Sequence, residues 1–354
     1  MLTVQQALDR LKSAGITDSA QILRRWLRNG VIKGIPAESK RTGWHISEEE
    51  INRFIRERNP LYAENQMLKA EIERLRKQLR KQQKTTATGP VKSPLIYFGG
   101  KYHLAKHIIP LMPAHRAYCE PFGGGAHVLV QKSPVPYEIY NDIDKNLVNF
   151  LMIARDRPDE LASKCETLPY SRKLFEEWRD SPMPDDPLER AVRFFYINRS
   201  QIAKGNGPAG KGTGWRHSAK VNPAQAYHSA IEMIHAFSLR MRKVQIECRD
   251  FREIIQVYDT PDTLFYVDPP YIGREKHYLG GFTEKDHRDL AHMLNNIQGK
   301  AIVSYYYDPL LDELYPGWVR KTLDANRQII GKKEKGKATE LLLFNYPVDK
   351  IIVT

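Results

Sequence analysis

Four consecutive residues concentrate the chemistry of this chain: Asp268, Pro269, Pro270 and Tyr271. They follow an apolar run, Leu264–Val267, that has the length and composition of a buried strand. The two prolines fix φ and remove two backbone donors, so the carbonyls ahead of them point outward without a ladder partner. A carboxylate, a free carbonyl and an aromatic face then stand together at the carboxyl end of a strand, where open α/β sheets bind ligands. That set suits gripping a planar base by its exocyclic amine. Asp268 and the Pro269 carbonyl accept the two amine hydrogens, and Tyr271 stacks on the ring. Four residues alone also fit a plain strand ending in a Pro-Pro turn.

A second group of residues suits a nucleotide-like cofactor. Gly100 and Lys101 close the stretch Leu95–Lys101, where glycine allows a close backbone approach and Lys101 supplies a cation. Tyr118–Gly125 is a strand end followed by an acid, Glu120, then Phe122 and the glycines Gly123 and Gly125 leading into a helix over 126–131. A tight glycine turn between strand and helix is what such a cofactor needs. Glu138–Asp144 is a second strand ending in carboxylates, of which Asp142 lies nearer the strand end and suits ribose hydroxyls. A solvated turn carboxylate is the plainer alternative. A further strand, Val244–Arg249, runs into Asp250 and Phe251. No metal site is expected.

Positioning these groups calls for strands alternating with helices. That pattern predicts an α/β, mostly parallel sheet. Its later strands are Lys300–Tyr307 and an edge hairpin, Trp318–Asp324 with Glu340–Asn345. Helices are expected over 146–155, 159–168, 170–179, 187–197 and within 219–243. Between them, Arg199, Lys204, Lys211 and Arg216 flank or sit in a glycine-rich tract, Gly205–Gly214, suited to DNA contact. A disordered insertion is the alternative there. Lys332 and Lys333 lie in the hairpin loop and are further candidate DNA contacts.

The 354-residue chain carries a net charge of +13, which points to a polyanionic partner. Residues 1–86 hold 18 Lys and Arg against 10 Asp and Glu, so +8 of the charge sits there. Thr3 caps a first helix to about Ser13, and Ser19 caps a second, basic one over 20–29 bearing Arg24, Arg25 and Arg28. A hairpin wing over 31–46 carries Lys33 and Arg41, and Ser47 with Glu50 forms a capping box for a third helix. This order resembles the winged helix-turn-helix of the MerR and excisionase type, over 1–59; a protein-interaction module is the alternative. Pro60 breaks the chain. In the coiled-coil helix over 60–84, Leu61, Leu68 and Leu75 take d positions and Asn65, Ile72 and Leu79 take a. Glu64 with Lys69 and Glu71 with Arg76 then pair across a parallel homodimer formed by residues 61–79. The same stripe would also serve a helix lying on its own domain. Residues 85–93 are a linker. No membrane span is present, and three scattered cysteines (Cys119, Cys165, Cys248) suggest reduced thiols in a cytoplasmic protein.

The motifs FGGK, EPFGGG, NDID, RDF, DPPY and ELLLFNY occur in that order over residues 94–346. In this the chain resembles the Dam-type, alpha-ordered DNA adenine methyltransferases. The resemblance implies a Rossmann-like methyltransferase domain over 94–354 with a helical target-recognition region at about 156–243. It implies S-adenosylmethionine as methyl donor and a flipped adenine in double-stranded DNA as acceptor. It places Tyr97, Lys101, Asp142 and Asp268 at the cofactor, and Asp268, Pro269, Pro270 and Tyr271 at the catalytic motif. Tyr97 stands where the family often has Trp, and Gln201–Trp215 replaces its recognition segment, so no target sequence carries over. A cytosine-amine or RNA enzyme on the same scaffold, and a DNA-binding regulator without catalysis, are the competing functions.

Overall fold

The computed structural model describes residues 1–36, 43–86, 90–97, 99–202, 214–275, 280–325 and 338–348. The chain divides into two compact units, Met1–Thr88 and Gly89–Thr354.

The first unit runs β1 (Leu2–Thr3), α1 (Val4–Ser13), α2 (Ala20–Arg28), β2 (Gly34–Ile35), β3 (His45–Ile46), α3 (Glu48–Arg58) and α4 (Pro60–Thr86). Thr3 and Ser19 accept backbone N–H groups at the starts of α1 and α2. The α2 helix buries Leu23 and Leu27, leaving Ile22 and Trp26 half-buried and Arg24, Arg25 and Arg28 exposed. Leucines four apart lie on one helix face, which is why they share the core. Ser47 caps α3, but Glu50 does not close the expected box. Its carboxylate accepts the Lys33 N–H at 2.7 Å and pairs with Arg53 at 2.7 Å. Pro60 does not break the chain either. It stands first in α4, where a missing N–H costs nothing, behind an Asn59 side chain that accepts the Tyr62 N–H at 3.1 Å. The α4 helix continues to Thr86, into the stretch expected as linker. Arg41 lies outside the described residues.

The second unit continues with α5 (Ala105–Ile108), β4 (Ala117–Glu120), α6 (His127–Gln131), β5 (Tyr137–Asn141), α7 (Lys145–Asp156), α8 (Pro158–Glu166), α9 (Arg172–Asp180) and α10 (Pro187–Ser200). There follow α11 (Pro223–Glu232), α12 (Ile234–Met241), β6 (Val244–Glu247), α13 (Phe251–Tyr258), β7 (Thr263–Val267), α14 (Glu284–Asn295), β8 (Lys300–Tyr306), α15 (Leu310–Leu314), β9 (Val319–Ala325) and β10 (Ala338–Phe344). The sheet order is β6-β5-β4-β7-β8-β10-β9. The first five strands are parallel, and β10 and β9 form an antiparallel edge hairpin. The chain winds outward one way through β4, β5 and β6, then the other way through β7 and β8. The reversal between β4 and β7 opens a crevice at their carboxyl ends.

All five residues of β7 are buried, because helices cover both sheet faces. Leu264 and Tyr266 face one cluster with Phe150, Phe195, Tyr227 and Phe237. Phe265 and Val267 face the other with Ile254, Ile255, Leu290 and Leu294. Each such side chain contributes roughly 1.5–3 kcal/mol of burial. The helical region is therefore no appendage, since its aromatics complete the sheet's core. Asn198 of α10 also grips the segment before Tyr97, accepting the Ile96 N–H at 2.9 Å and donating to the Ile96 carbonyl at 2.7 Å. Helices α13 and α14 were not anticipated from the sequence. Their caps were legible: Asp250 accepts the Arg252 N–H, and Thr283 with Asp286 forms a capping box.

One buried side chain fastens the crevice rim. Asn141 donates to the carbonyls of Pro121 (2.8 Å) and Arg249 (3.0 Å) and accepts the Arg249 N–H (2.8 Å). It thus ties together the chain segments following β4, β5 and β6. An unsatisfied buried polar group costs about 1–3 kcal/mol. Asn141→Leu should therefore lower stability by about 3 kcal/mol, read as a fall in the urea midpoint of unfolding.

Candidate active site

The crevice between β4 and β7 holds a cavity lined by eleven residues that the sequence marked for a cofactor: Tyr97, Gly100, Lys101, Glu120, Phe122, Gly123, Gly125, Asp142, Asp250, Phe251 and Asp268. Four strand ends, those of β4, β5, β6 and β7, and the segment ahead of α5 deliver them. Glu120 ends β4, Asp142 follows β5, and Asp268 follows β7.

The glycine turn is dictated by what surrounds it. A Cβ on Gly123 would lie 2.1 Å from the buried Tyr140 ring, and Gly124 takes φ +49°, which only glycine adopts freely. Tyr140 donates to the Gly124 carbonyl at 2.7 Å, locking the turn from below. Asp142 locks it from the side, accepting the Gly124 N–H at 2.9 Å and, through its other oxygen, the Asp144 N–H at 2.9 Å. Burial pushes the Asp142 carboxyl up to about 6. Asp144 is spent on structure as the cap of α7. Burial also pushes Glu120 up to about 8, so it is largely protonated at neutral pH.

Phe122, Phe251 and Phe282 form an aromatic cluster with centroids 5.2–5.8 Å apart. Phe282 follows the region after Tyr271 and gave no sequence signal. Arg252 holds this corner, stacking on Phe251 at 4.4 Å and pairing with Asp250, Asp286 and Asp289. His127 is a further lining residue that sequence reasoning missed. Burial, then Lys101, hold its imidazole down at about 4, and its buried Nδ1 has no partner among the described residues.

Asp268 receives the Lys101 ammonium on both carboxylate oxygens at 2.8 Å. Lys101 is only 4% exposed and also lies 3.3 Å from Glu340. Burial pushes the Asp268 carboxyl up to about 6 against the pull of Lys101. Among the described residues no donor pairs with the Pro269 carbonyl. Pro270 lines the cavity, and Pro269 and Tyr271 are buried beside it in sequence. Tyr271 departs from expectation. Its ring is 5% exposed, with Tyr306 edge-on at 4.7 Å and the Lys101 ammonium at 5.1 Å, so it offers no open stacking face. Its hydroxyl explains this: the single O–H is shared between Asp268, at 3.1 Å, and the closer Glu340, which draws the ring inward.

Arg24, Arg25, Arg28 and Lys33 are exposed in the first unit. Arg199 is not the free cation expected. Its guanidinium donates to the Ala226 carbonyl, and burial, then Arg216, hold it down at about 10. Arg216 is half-buried and donates to the Gln201 carbonyl at 3.1 Å. Both arginines are thus held by backbone carbonyls. Lys204, Lys211, Lys332 and Lys333 lie outside the described residues.

A doubly wound sheet with a glycine turn, a carboxylate on the next strand and an Asp-Pro-Pro turn beside them defines a cofactor-dependent methyltransferase class. The sequence profile of the D12 class N6 adenine-specific DNA methyltransferases matches residues 97–329, and the chain belongs to that family. A DNA adenine methylase of Serratia marcescens is 24% identical over 270 residues, covering 70% of this chain and 96% of its own length. The Retron Ec67 DNA adenine methylase of Escherichia coli is 27% identical over 277 residues, covering 70% and 89%. A DNA N-6-adenine-methyltransferase of Escherichia phage P1 is 21% identical, covering 69% of this chain and 34% of its own. The enzyme transfers a methyl group from S-adenosylmethionine to adenine N6 in DNA, and the family implies base flipping.

The cavity fits that cofactor. It offers aromatic rings for an adenine, carboxylates for hydroxyl and amine groups, and an unpartnered buried imidazole nitrogen. Among the described residues no helix is long and apolar enough to cross a membrane. The tight seat of the glycine turn gives a test. Gly123→Ala forces Tyr140 to move, and overpacking costs about 1–3 kcal/mol. Calorimetric affinity for S-adenosylhomocysteine should fall about tenfold or more.

Proposed function

We propose that Asp268 and the Pro269 carbonyl accept the two hydrogens of the flipped adenine's amine. The observation that carries this is Asp268 at the carboxyl end of β7, in the same cavity as the cofactor-suited groups. An adenine amine is a poor nucleophile because its lone pair is conjugated with the ring. Acceptors on its hydrogens favour rehybridisation. When bound, S-adenosylmethionine supplies a sulfonium methyl whose S–C bond breaks as the N6–C bond forms. One N6 proton must then leave, and the Asp268 carboxylate stands ready to take it. Lys101 holds that carboxylate in place, Tyr271 steadies it through its hydroxyl, and Pro270 forms the adjoining wall. A covalent thiol route has no support, since Cys119 is buried and its thiol is pushed well up by burial.

Around the cavity, Asp142 is assigned to ribose hydroxyls, and Phe122, Phe251 and Tyr97 to the apolar body of the cofactor. Gly100, Gly123 and Gly125 permit its close approach, with Glu120 and Asp250 at the rim. The first unit is assigned to DNA binding as a winged helix-turn-helix, supported by its +8 charge and by three exposed arginines on α2. Lys33 and Arg41 of the wing join it there. In the large unit Lys204, Lys211, Lys332 and Lys333 are proposed phosphate contacts. Pairing of two chains is supported by the α4 stripe, where Leu68, Ile72 and Leu75 are about half exposed or more. Linking two DNA-contacting arms raises their effective concentration on the duplex.

Loss of one key electrostatic contact typically costs ~10²-fold or more in rate. Asp268→Ala should lose at least that in single-turnover methylation of an adenine-containing duplex; retention of a tenth of the activity would remove the assignment. Because the carboxylate form is the acceptor, the wild-type rate should fall about tenfold per pH unit below about 6. Saturating cofactor keeps the titration of Asp142 out of that measurement.

Light scattering tests the arm. Full-length protein should be dimeric at micromolar concentration, and a chain starting at Gly89 monomeric yet still active on adenine. The shorter chain should also show a shallower salt dependence of DNA binding, since each lost phosphate contact reduces the slope by about 0.9.

A further inference from the structure

Glu340 is a buried carboxylate that touches the groups holding Asp268 and that the reaction as described does not use. It is the third residue of β10 and is 2% exposed. Because β10 runs antiparallel to β8, its beginning lies at the end of the sheet where the parallel strands finish. Glu340 pairs in register with Tyr306 and faces the same side as Leu342 and Phe344. One of its oxygens gathers three groups: the Tyr271 hydroxyl, the Ser304 hydroxyl and, at 3.3 Å, the Lys101 ammonium. Tyr271 and Lys101 are also the two groups that hold Asp268, at 3.1 and 2.8 Å. Every described side chain hydrogen-bonded to Asp268 is thus shared with Glu340.

We propose that Glu340 is a positioning residue for methyl transfer: it shares the Lys101 ammonium and the Tyr271 hydroxyl with Asp268, and so leaves the Asp268 carboxylate a stronger proton acceptor than a dedicated pair with Lys101 would.

The physical reason is competition. One ammonium beside two carboxylates neutralises neither. Were Glu340 uncharged, Lys101 would serve Asp268 alone and stabilise its ionised form, and an acceptor stabilised as the anion takes a proton less readily. The direction agrees with Asp268's own balance, in which Glu340 raises its carboxyl and Lys101 and the Tyr271 hydroxyl lower it. The other titratable groups facing Asp268 are Glu120 from the end of β4, Tyr266 on β7 and Tyr305 on β8. All three are buried and pushed up by burial, so at neutral pH they add little charge. Beyond burial, Lys101 and Glu340 are the charged pair that tunes its basicity.

This inference rests on Asp268 being the acceptor, and the experiment separates the two. Single-turnover rates with saturating cofactor are measured from pH 5 to 9 for wild type, Glu340→Gln, Tyr271→Phe and Asp268→Asn, each checked by its melting curve and its affinity for S-adenosylhomocysteine. Glu340→Gln should move the acid limb down by about one unit and lower the plateau about tenfold. Tyr271→Phe should move the limb up, because Asp268 loses a donor and Glu340 is freed to draw Lys101 away. It alters one hydroxyl and decides the matter should Glu340→Gln not fold. If Glu340→Gln lowers the rate equally at every pH, or the limb stays put in both variants, Glu340 is structural and the proposal fails. Should Asp268→Asn keep wild-type activity, the acceptor assignment itself fails, whatever Glu340 does.

Discussion

The active centre depends on one ammonium placed between two carboxylates. Lys101 meets Asp268 and Glu340 from a chain segment 167 residues ahead of the first. A buried ion pair is weak support for stability, but removing one partner leaves uncompensated charge and typically costs 3–5 kcal/mol. The cluster therefore constrains sequence strongly while adding little net stability. It fixes where the segment before β4 must lie, how far β10 must reach, and which way the Asp268 carboxylate faces. Asn198 reinforces the first of these by clamping Ile96 from α10, so the helical region also helps aim Lys101.

The sheet supplies that geometry through its change of winding direction. Parallel strands end on the same side, and the reversal between β4 and β7 keeps helices from closing over their ends. Glu120, Asp142 and Asp268 then converge although they are far apart in sequence. Each turn is secured by a different device: Tyr140 and Asp142 under the glycines, Asn141 across three segments, Arg252 among three carboxylates. The rim is thus held by hydrogen bonds between loops together with the Phe122, Phe251 and Phe282 cluster, above the apolar clusters that join strands and helices. The edge hairpin matters for the same reason. An antiparallel strand brings its first residue, not its last, to the reactive end, and Glu340 is that residue's near neighbour.

Tyr271 shows how the cluster reaches into substrate handling. With its hydroxyl bound to Asp268 and Glu340, the ring sits in the core beside Tyr305 and Tyr306. The wall beside Asp268 in this state is Pro270. In the proposed mechanism a base entering the site meets a carboxylate and a proline first, and the tyrosine acts through the hydrogen bond that steadies the carboxylate.

The sequence by itself determined the strands, the class of sheet and the residues of the cofactor cavity. Those features rest on local signals: apolar runs of strand length, glycines before a helix, and an acid at a strand end. The catalytic turn was equally legible, because two prolines remove the same donors in any fold. Only the tertiary structure decided what those groups face. Pro60 opens α4 because Asn59 caps it, and Glu50 abandons its capping box because the Lys33 N–H and Arg53 lie closer. Arg199 is drawn from solvent to the Ala226 carbonyl, and Tyr271 turns inward to Glu340. For Glu50, Arg199 and Tyr271 a partner distant in sequence satisfied a polar group that local reasoning had assigned to solvent, a cap or a ligand. Such partners are set by strand order and register, which a single chain's local pattern does not contain.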